Sequence, residues 1–500
     1  MEKLSVVQEG EQLLGSGARE QACMCFLGLE QLFRSEQREE ERKRGAAGDP
    51  ASAGAGASPS SDAESPYGPH LRLALALASQ HGLLADVCET ALSADVLSAP
   101  TWYTLSLALL SVRQYARASR ALARHIELQP LNSHALSLAA KVATERLGDP
   151  SRGLQLARRA AGASSGHGRA RALQLAAASL VELARAARPQ ASAAPLLKRA
   201  LQDLCDAAVL AGGADANIEY QTGLVLAVSS RTGAAFSSAQ RCLALQRTHL
   251  EGSLLLSLLF TSRQQYGAAL GVATTCAAEW PDSPRVLLLV AALQEVVLAG
   301  EFAQQTLLRA RLLVCDSDDE AVSTSRFAEG LLGYADHGRS FAPISPRVAA
   351  ALLSSRLAQR AGNLHAADAA IEEASVEVGS ETHPFIWHER GRLAEARGHD
   401  AAAATMYAKG VAINPFDAGS LTRLGTRRLA QSGAGGGMSS APRLLRQALA
   451  ADCTSAEAWQ QLGTALLEGQ QAGASESFLA ACRLESEQPL VPFEALGWIE

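Results

Sequence analysis

A chain of 500 residues exceeds what one hydrophobic core organises, so several domains or a quasi-linear repeat array is expected. Hydrophobic residues make up 48% but aromatics only 5%, which leaves the packing to Ala and Leu and suits close helix pairs rather than a sheet core. The net charge of -6 excludes a global attraction to nucleic acid or anionic lipid, and nine dispersed cysteines with no CxxC pair read as reduced thiols of a cytoplasmic protein rather than a disulfide framework.

Residues 1–44 read as an N-terminal helical hairpin with a charged extension. Leu13 and Leu14 lie on its first helix, Gly15-Ser16-Gly17 breaks it, Cys23, Phe26, Leu27 and Leu29 mark the second, and Arg34 to Arg44 continues that helix into solvent. Residues 45–69 are Gly, Ala, Ser, Pro and Asp with an isolated Tyr67, a composition that cannot bury enough apolar area to offset its ordering entropy. This stretch reads as a disordered linker.

From 71 onward the helical pattern continues without a strand signal. A first hairpin ends at Leu92, and the next unit runs Trp102, Leu105, Tyr115, Ala118, Leu122 and Pro130. Ser133 to Ala160 is a degenerate unit, and longer irregular helices are expected near 169–210, broken at Pro189 and Pro195. Gly223, Ala235 and Cys242 resume the frame, followed by Leu256, Tyr266, Ala269, Ala273 and Pro281, and then by a weaker unit with Gly300 and Phe302. The acidic run from Asp316 to Glu320 and the Gly/Ser-containing stretch after it mark 316–346 as an insertion loop between arrays at 71–315 and 347–485.

In the second array Gly362, Ala367, Ile371 and Ala374 come first. Trp387, Gly391, Gly398, Ala403, Tyr407 and Pro415 form the most regular unit, and Leu424, Gly425, Ala441 and Ala448 follow with a turn enlarged by Gly433 to Gly437. Trp459, Leu462, Gly463, Ala474, Phe478 and Ala481 close the array, leaving 486–500 as a C-terminal tail. An aromatic near the start of a first helix, a small residue four positions on, an alanine on the second helix and a proline at the next turn make the tetratricopeptide pattern, with one helix–turn–helix per period of about 34 residues. Its fold is all-α, a right-handed superhelix of helix hairpins. The expected packing residues are Trp102, Ala118, Pro130, Tyr266, Ala269, Pro281, Trp387, Gly391, Ala403, Tyr407, Pro415, Trp459, Gly463 and Phe478. Gly391 is expected against Ala403 where the two helices approach most closely.

Motifs for catalysis give way to structural readings. Gly162 to Gly166 fits G-x-S-x-G, but the nucleophile elbow needs a strand before it and a helix after it, whereas here two helices flank it. No phosphate loop, dinucleotide fingerprint or HExxH occurs, so no enzyme, cofactor or metal is expected. His383 and His388 lack a ligand cluster and read as an exposed capping residue and a solvent-facing one. The acidic run lacks the Gly and Glu of a calcium loop and reads as a solvated loop, with Ser317 or Ser323 in a phosphosite-like context.

The run Trp387-His388-Glu389-Arg390-Gly391-Arg392-Leu393-Ala394-Glu395, the run Glu457-Ala458-Trp459-Gln460-Gln461-Leu462-Gly463, and Phe478-Leu479 followed by Pro492-Phe493 resemble the tetratricopeptide repeat protein 7 family. The resemblance continues upstream through the Tyr266 unit, Ala139-Ala140-Lys141-Val142 and Trp102-Tyr103, covering roughly 85 to 500. It implies a non-enzymatic scaffold that helps join phosphatidylinositol 4-kinase type III alpha to hyccin and a palmitoylated membrane anchor, recruited peripherally to the plasma membrane through those partners. It implies neither nucleic-acid binding nor direct membrane insertion. Family members carry a longer helical N-terminal half than the one read here. The alternative is a generic peptide-binding cochaperone module, which clamps a carboxylate with Lys and Asn. The helices at Thr101 to Leu107 and Trp387 to Leu393 carry neither, leaving only Arg390 and Arg392 for that role.

Overall fold

The computed structural model describes Cys88, Leu92 and residues 96–187, 193–213, 215–298, 301–313, 318–333, 344–378, 383–432 and 440–497. The expected hairpin at 1–44, the linker at 45–69 and the enlarged turn at 433–437 lie outside these residues, as does most of the first hairpin before Leu92. Among the described residues every regular element is a helix. The chain forms two compact units, 1–175 and 176–500.

In the first unit, α1 (Ala99–Ser111) pairs with α2 (Tyr115–Leu128), and α3 (Ser133–Lys141) pairs with α4 (Pro150–Ala163). The α3 helix widens into a π-helical turn at Val142–Arg146 whose first three residues are buried. Ala118, Leu122, Leu136 and Ala160 are fully enclosed between these helices.

In chain order there follow α5 (Gly166–Ala186), α6 (Ala193–Leu210), α7 (Ala216–Val228), α8 (Thr232–Leu245), α9 (Leu250–Thr261), α10 (Tyr266–Glu279), α11 (Pro284–Leu298) and α12 (Glu301–Leu313). Then come α13 (Asp318–Leu332), α14 (Pro346–Arg360), α15 (Leu364–Val378), α16 (Pro384–Ala396), α17 (Asp400–Ile413), α18 (Ala418–Ser432), α19 (Ala441–Ala451), α20 (Ala456–Glu468) and α21 (Ala474–Glu487). In the second unit the hairpins are α7–α8, α9–α10, α11–α12, α14–α15, α16–α17, α18–α19 and α20–α21, and successive hairpins stack. The second helix of the first six is held close by an alanine: Ala235, Ala269, Ala303, Ala367, Ala403 and Ala441 all have zero exposure. A larger side chain at any of them would push the pair apart, which is why the repeat fixes this position so tightly.

One turn recurs inside the hairpins. The backbone N–H of Gln114, Arg231, Gln265, Asn363, His399 and Gln471 donates to Leu109, Leu226, Phe260, Ala358, Ala394 and Leu466 respectively, at 2.8 to 3.0 Å. The residue before each donor is left-handed: Arg113 (φ 62), Ser230 (58), Gln264 (58), Gly362 (75), Gly398 (76) and Gln470 (50). This 6→1 bond closes the first helix and satisfies a carbonyl that would otherwise end unpaired. Glycine adopts that conformation without penalty, whereas the four other side chains each oppose it by about 1–2 kcal/mol. The turn is therefore imposed by packing rather than by local preference.

The stretch 316–346 is not simply an insertion loop. Residues 318–332 form α13, which buries Phe327 and Ala328 and packs on α11 and α14, while α12 packs against α14 as the next hairpin's neighbour. The period is interrupted by an added helix. Asp318-Asp319-Glu320 opens that helix, a position where acidic residue types are favoured because the helix N-terminus carries positive partial charge.

Candidate interaction faces of the second unit

The expected packing residues divide into three groups. Ala118, Ala269, Ala403 and Tyr407 are fully enclosed, and Gly391 and Gly463 are buried. Trp102, Tyr266, Trp387, Trp459 and Phe478 are partly buried, and Pro130, Pro281 and Pro415 are exposed at the turns between hairpins. Two of the tryptophans share a role that their spacing did not reveal: Trp102 Nε1 donates to the Val96 carbonyl at 2.8 Å and Trp459 Nε1 to the Cys453 carbonyl at 2.9 Å, tying each helix to the turn before it. Gly391 does not face Ala403. A Cβ there would lie 2.5 Å from Cε1 of Tyr407, so the glycine makes room for an aromatic ring, and Gly463 does the same for Phe478 at 2.9 Å.

Charged side chains link the first helices of successive hairpins at the C-terminal end. Arg356 on α14 directs Nε and Nη2 at Oε1 of Glu389 on α16, at 3.0 and 2.6 Å, and Nη2 also donates to the Leu332 carbonyl ending α13 at 2.8 Å. Arg392 stands 3.7 Å from the same Glu389 oxygen. Farther along, Arg427 on α18 reaches Glu395 at 2.8 Å and Asp400 at 2.6 Å, and Arg423 reaches Glu457 on α20 at 3.2 Å. Exposed members of this series contribute little to stability. The Glu389 carboxylate is different because it is fully enclosed.

The histidines are also placed differently from the sequence reading, since His383 and His388 are both buried. The apolar residues Phe385 and Ile386 turn that face of α16 inward, and His388 follows them. His388 Nδ1 lies 3.1 Å from Ser420 Oγ on α18. Burial drives the His388 pKa down to about 3, with Glu389 opposing that shift and the neighbouring arginines reinforcing it. For Glu389, burial alone would raise the pKa, but Arg356 and Arg392 outweigh it and hold the group at about 2. Both folded-state values lie below the ordinary ones, so between about pH 6.5 and 3 for His388, and about pH 4.5 and 2 for Glu389, the unfolded chain binds more protons than the folded one. Stability is present above those windows and is lost as pH falls through them. Denaturant midpoints followed from pH 7 to 4 are expected to fall, and to fall less in His388→Asn; an unchanged acid slope in that variant would remove His388 from the account.

The cations proposed as a weak carboxylate clamp are already engaged. Arg390 pairs with Glu372 at 2.8 Å and lies 5.3 Å from the Trp387 ring centroid, while Lys409 covers the same ring at 4.4 Å. The G-x-S-x-G stretch joins α4 to α5, two helices, as the sequence reading has it. Cys242 and Cys276 are buried thiols, raised to about 12 and about 11 chiefly by burial, which suits packing rather than nucleophilic chemistry. Among the described residues no group of three or more His, Cys, Asp or Glu could hold a metal ion, and no helix is long and apolar enough to cross a membrane. Ser317 lies outside the described residues, and Ser323 falls on α13.

The opposite end of the unit carries a feature that the sequence reading left as a tail. After α21 the chain returns to α7, α9 and α13, forming a single 3-10 turn at Phe493–Ala495 against α7 and α13. Val491, Phe493 and Leu496 join the core built by those helices. Tyr220 Oη donates to the Gly497 carbonyl at 2.7 Å, and Thr261 Oγ1 accepts the Leu490 N–H at 3.1 Å. The only sequence signal for this return was the alternation of proline with apolar residues after Gln488.

No family model matches the chain. It is similar to tetratricopeptide repeat protein 7A of Homo sapiens, 25% identical over 355 residues, which covers 60% of this chain and 40% of that protein. It is also similar to tetratricopeptide repeat protein 7B of Homo sapiens, 24% identical over 497 residues, covering 85% of this chain and 56% of that protein. The chain thus spans about half the length of the curated relatives it matches. Among solved structures, that of Ypp1 aligns with a TM-score of 0.53 at 12% identity over 87% of this chain and 67% of that one, a likeness of fold alone. The all-α tetratricopeptide architecture read from the repeats and the resemblance to the tetratricopeptide repeat protein 7 family are both borne out.

Proposed function

We propose that this chain, a relative of the tetratricopeptide repeat protein 7 family, is a non-enzymatic scaffold that assembles and localises a phosphatidylinositol 4-kinase complex at the plasma membrane. The observation that carries this reading is the similarity to tetratricopeptide repeat protein 7B along 497 residues, which runs through both units rather than through one generic repeat. A stacked array presents a long surface on which many modest contacts add up to stable binding, without any reacting group. The finer statement, that the partners are phosphatidylinositol 4-kinase type III alpha, hyccin and a palmitoylated anchor, follows from the family resemblance. Recruitment to the membrane is then peripheral and depends on the anchor. The cochaperone alternative is disfavoured because Arg390 is paired with Glu372 and Arg392 stands beside Glu389.

Co-expression of the tagged chain with the three partners tests the reading. The kinase and hyccin are expected to co-purify with it, and a fluorescent fusion to reach the plasma membrane only when the anchor is present. With a net charge of -6, the purified chain alone is expected to stay off anionic vesicles. Salt-sensitive vesicle binding together with no recovery of the kinase would reject the scaffold.

A further inference from the structure

We propose that the inner face of α7, α9 and α13 is a binding site for an extended apolar peptide, and that the chain's own residues 488–497 occupy it as an intramolecular ligand that shuts the groove to other peptides. The segment has the form of a bound peptide rather than of a repeat. Gln488 (φ -77, ψ 123), Pro492 (-54, 136) and Leu496 (-71, 135) are near polyproline II geometry, with only the short 3-10 turn between the last two. Its backbone is held at both ends by side chains of the array, through the Leu490 N–H on Thr261 and the Gly497 carbonyl on Tyr220. Between these ties Val491, Phe493 and Leu496 are buried as anchors. Apolar anchors in pockets with main-chain hydrogen bonds at the ends are the usual grammar of peptide recognition.

The site is shaped for this occupant. Gly330 on α13 leaves a hollow in which an added Cβ would lie 3.0 Å from Val491 Cγ1, 3.0 Å from Ala495 Cβ and 3.2 Å from Pro492 Cδ. The three nearest atoms all belong to the returning segment, so the glycine makes room for this contact. Tyr220 is a fully enclosed phenol whose hydroxyl is aimed at the segment. Pro489 and Pro492 stiffen the segment before it docks, which lowers the entropy lost on binding. Because ligand and site belong to one folded unit, an effective concentration on the order of millimolar keeps the groove closed even if the segment's intrinsic affinity is modest. A peptide in trans needs the same chemistry, an aliphatic-Pro-Phe core followed by leucine, and gains entry only when the resident segment is released.

A labelled synthetic peptide of residues 488–497, followed by fluorescence anisotropy, tests this without any reference to the kinase complex. It is titrated into the full chain, into a chain ending at Glu487, and into the full-length double variant Val491→Asp/Phe493→Asp, which disables the resident ligand while leaving the site intact. The peptide is expected to bind both release variants at least about tenfold more tightly than the full chain. Gly330→Leu, added to the chain ending at Glu487, is expected to abolish that binding, and Tyr220→Phe to weaken it. Equal affinity for the full chain and the release variants, or no binding to release variants that keep their helical spectrum, would overturn the proposal. Loss of helical structure in both release variants would overturn it as well, because the segment would then be a fixed part of the core rather than a ligand.

Discussion

Arg356→Leu is expected to destabilise the second unit by about 3–5 kcal/mol, among the largest effects of any single substitution in it. The guanidinium supplies two of the hydrogen bonds that hold Glu389 Oε1 and a third to the Leu332 carbonyl, so its loss leaves a fully buried carboxylate and frees the junction between α13, α14 and α16. Arg392 remains at 3.7 Å and recovers part of the attraction, which places the expected loss toward the lower end of that range. Removing both charges is a different experiment. In Arg356→Leu/Glu389→Leu neither member of the buried pair remains to be desolvated, and much of the stability is expected to return, less what Arg392 loses with its partner Glu389. Urea midpoints, with hydrogen exchange at the α16 amides to locate the change, decide the matter; a single variant as stable as the parent would show that the pair contributes nothing.

Gly391→Leu is expected to cost at least about 1–3 kcal/mol. Its Cβ alone would lie 2.5 Å from Tyr407 Cε1 and 2.8 Å from Cδ1 and Cζ, and the ring, with no exposed surface, has nowhere to turn. The equivalent change at Gly463 is expected to be milder, because Phe478 is partly exposed and can swing aside. Arg392→Ala, a residue that the sequence marks as a surface position, is expected to fall between a neutral change and these, since its charge also serves Glu389. Melting temperatures measured on the three variants rank them, and identical values for Gly391→Leu and Arg392→Ala would contradict the packing described for α16 and α17.

Where the sequence was informative, a repeating offset carried the information. Ala118, Ala269 and Ala403 recur in one frame because each must fit the closest approach of two helices, and each is fully enclosed. Gly391 was legible as a required small residue by the same logic, though not the identity of its neighbour. The frame set Gly391 against Ala403 at the closest approach of the helices, and only the packed hairpin shows that the Tyr407 ring is its nearest neighbour.

Composition misled where local chemistry and tertiary context diverge. The acidic run at the start of 316–346 looks like a solvated loop, yet three of its residues open a helix whose far end carries Phe327 and Ala328 into the core. His383 and His388 look like exposed polar residues, yet His383 is buried where it precedes α16 and His388 lies on the inward face of that helix, where the cost of burying it is met by keeping it neutral beside Ser420.

By itself the sequence determined the all-helical class, the hairpin period and the small residues that make it possible, because those features depend on contacts within one repeat or between adjacent ones. Only the tertiary structure decided the partner of Glu389 and the place of residues 488–497. The returning segment bonds across 277 residues to Tyr220 and across 229 to Thr261, and no periodicity links positions that far apart. What joins them is the packing of the segment after α21 against α7, α9 and α13, which lets a short run of prolines and apolar residues bury itself where the sequence alone shows only a tail.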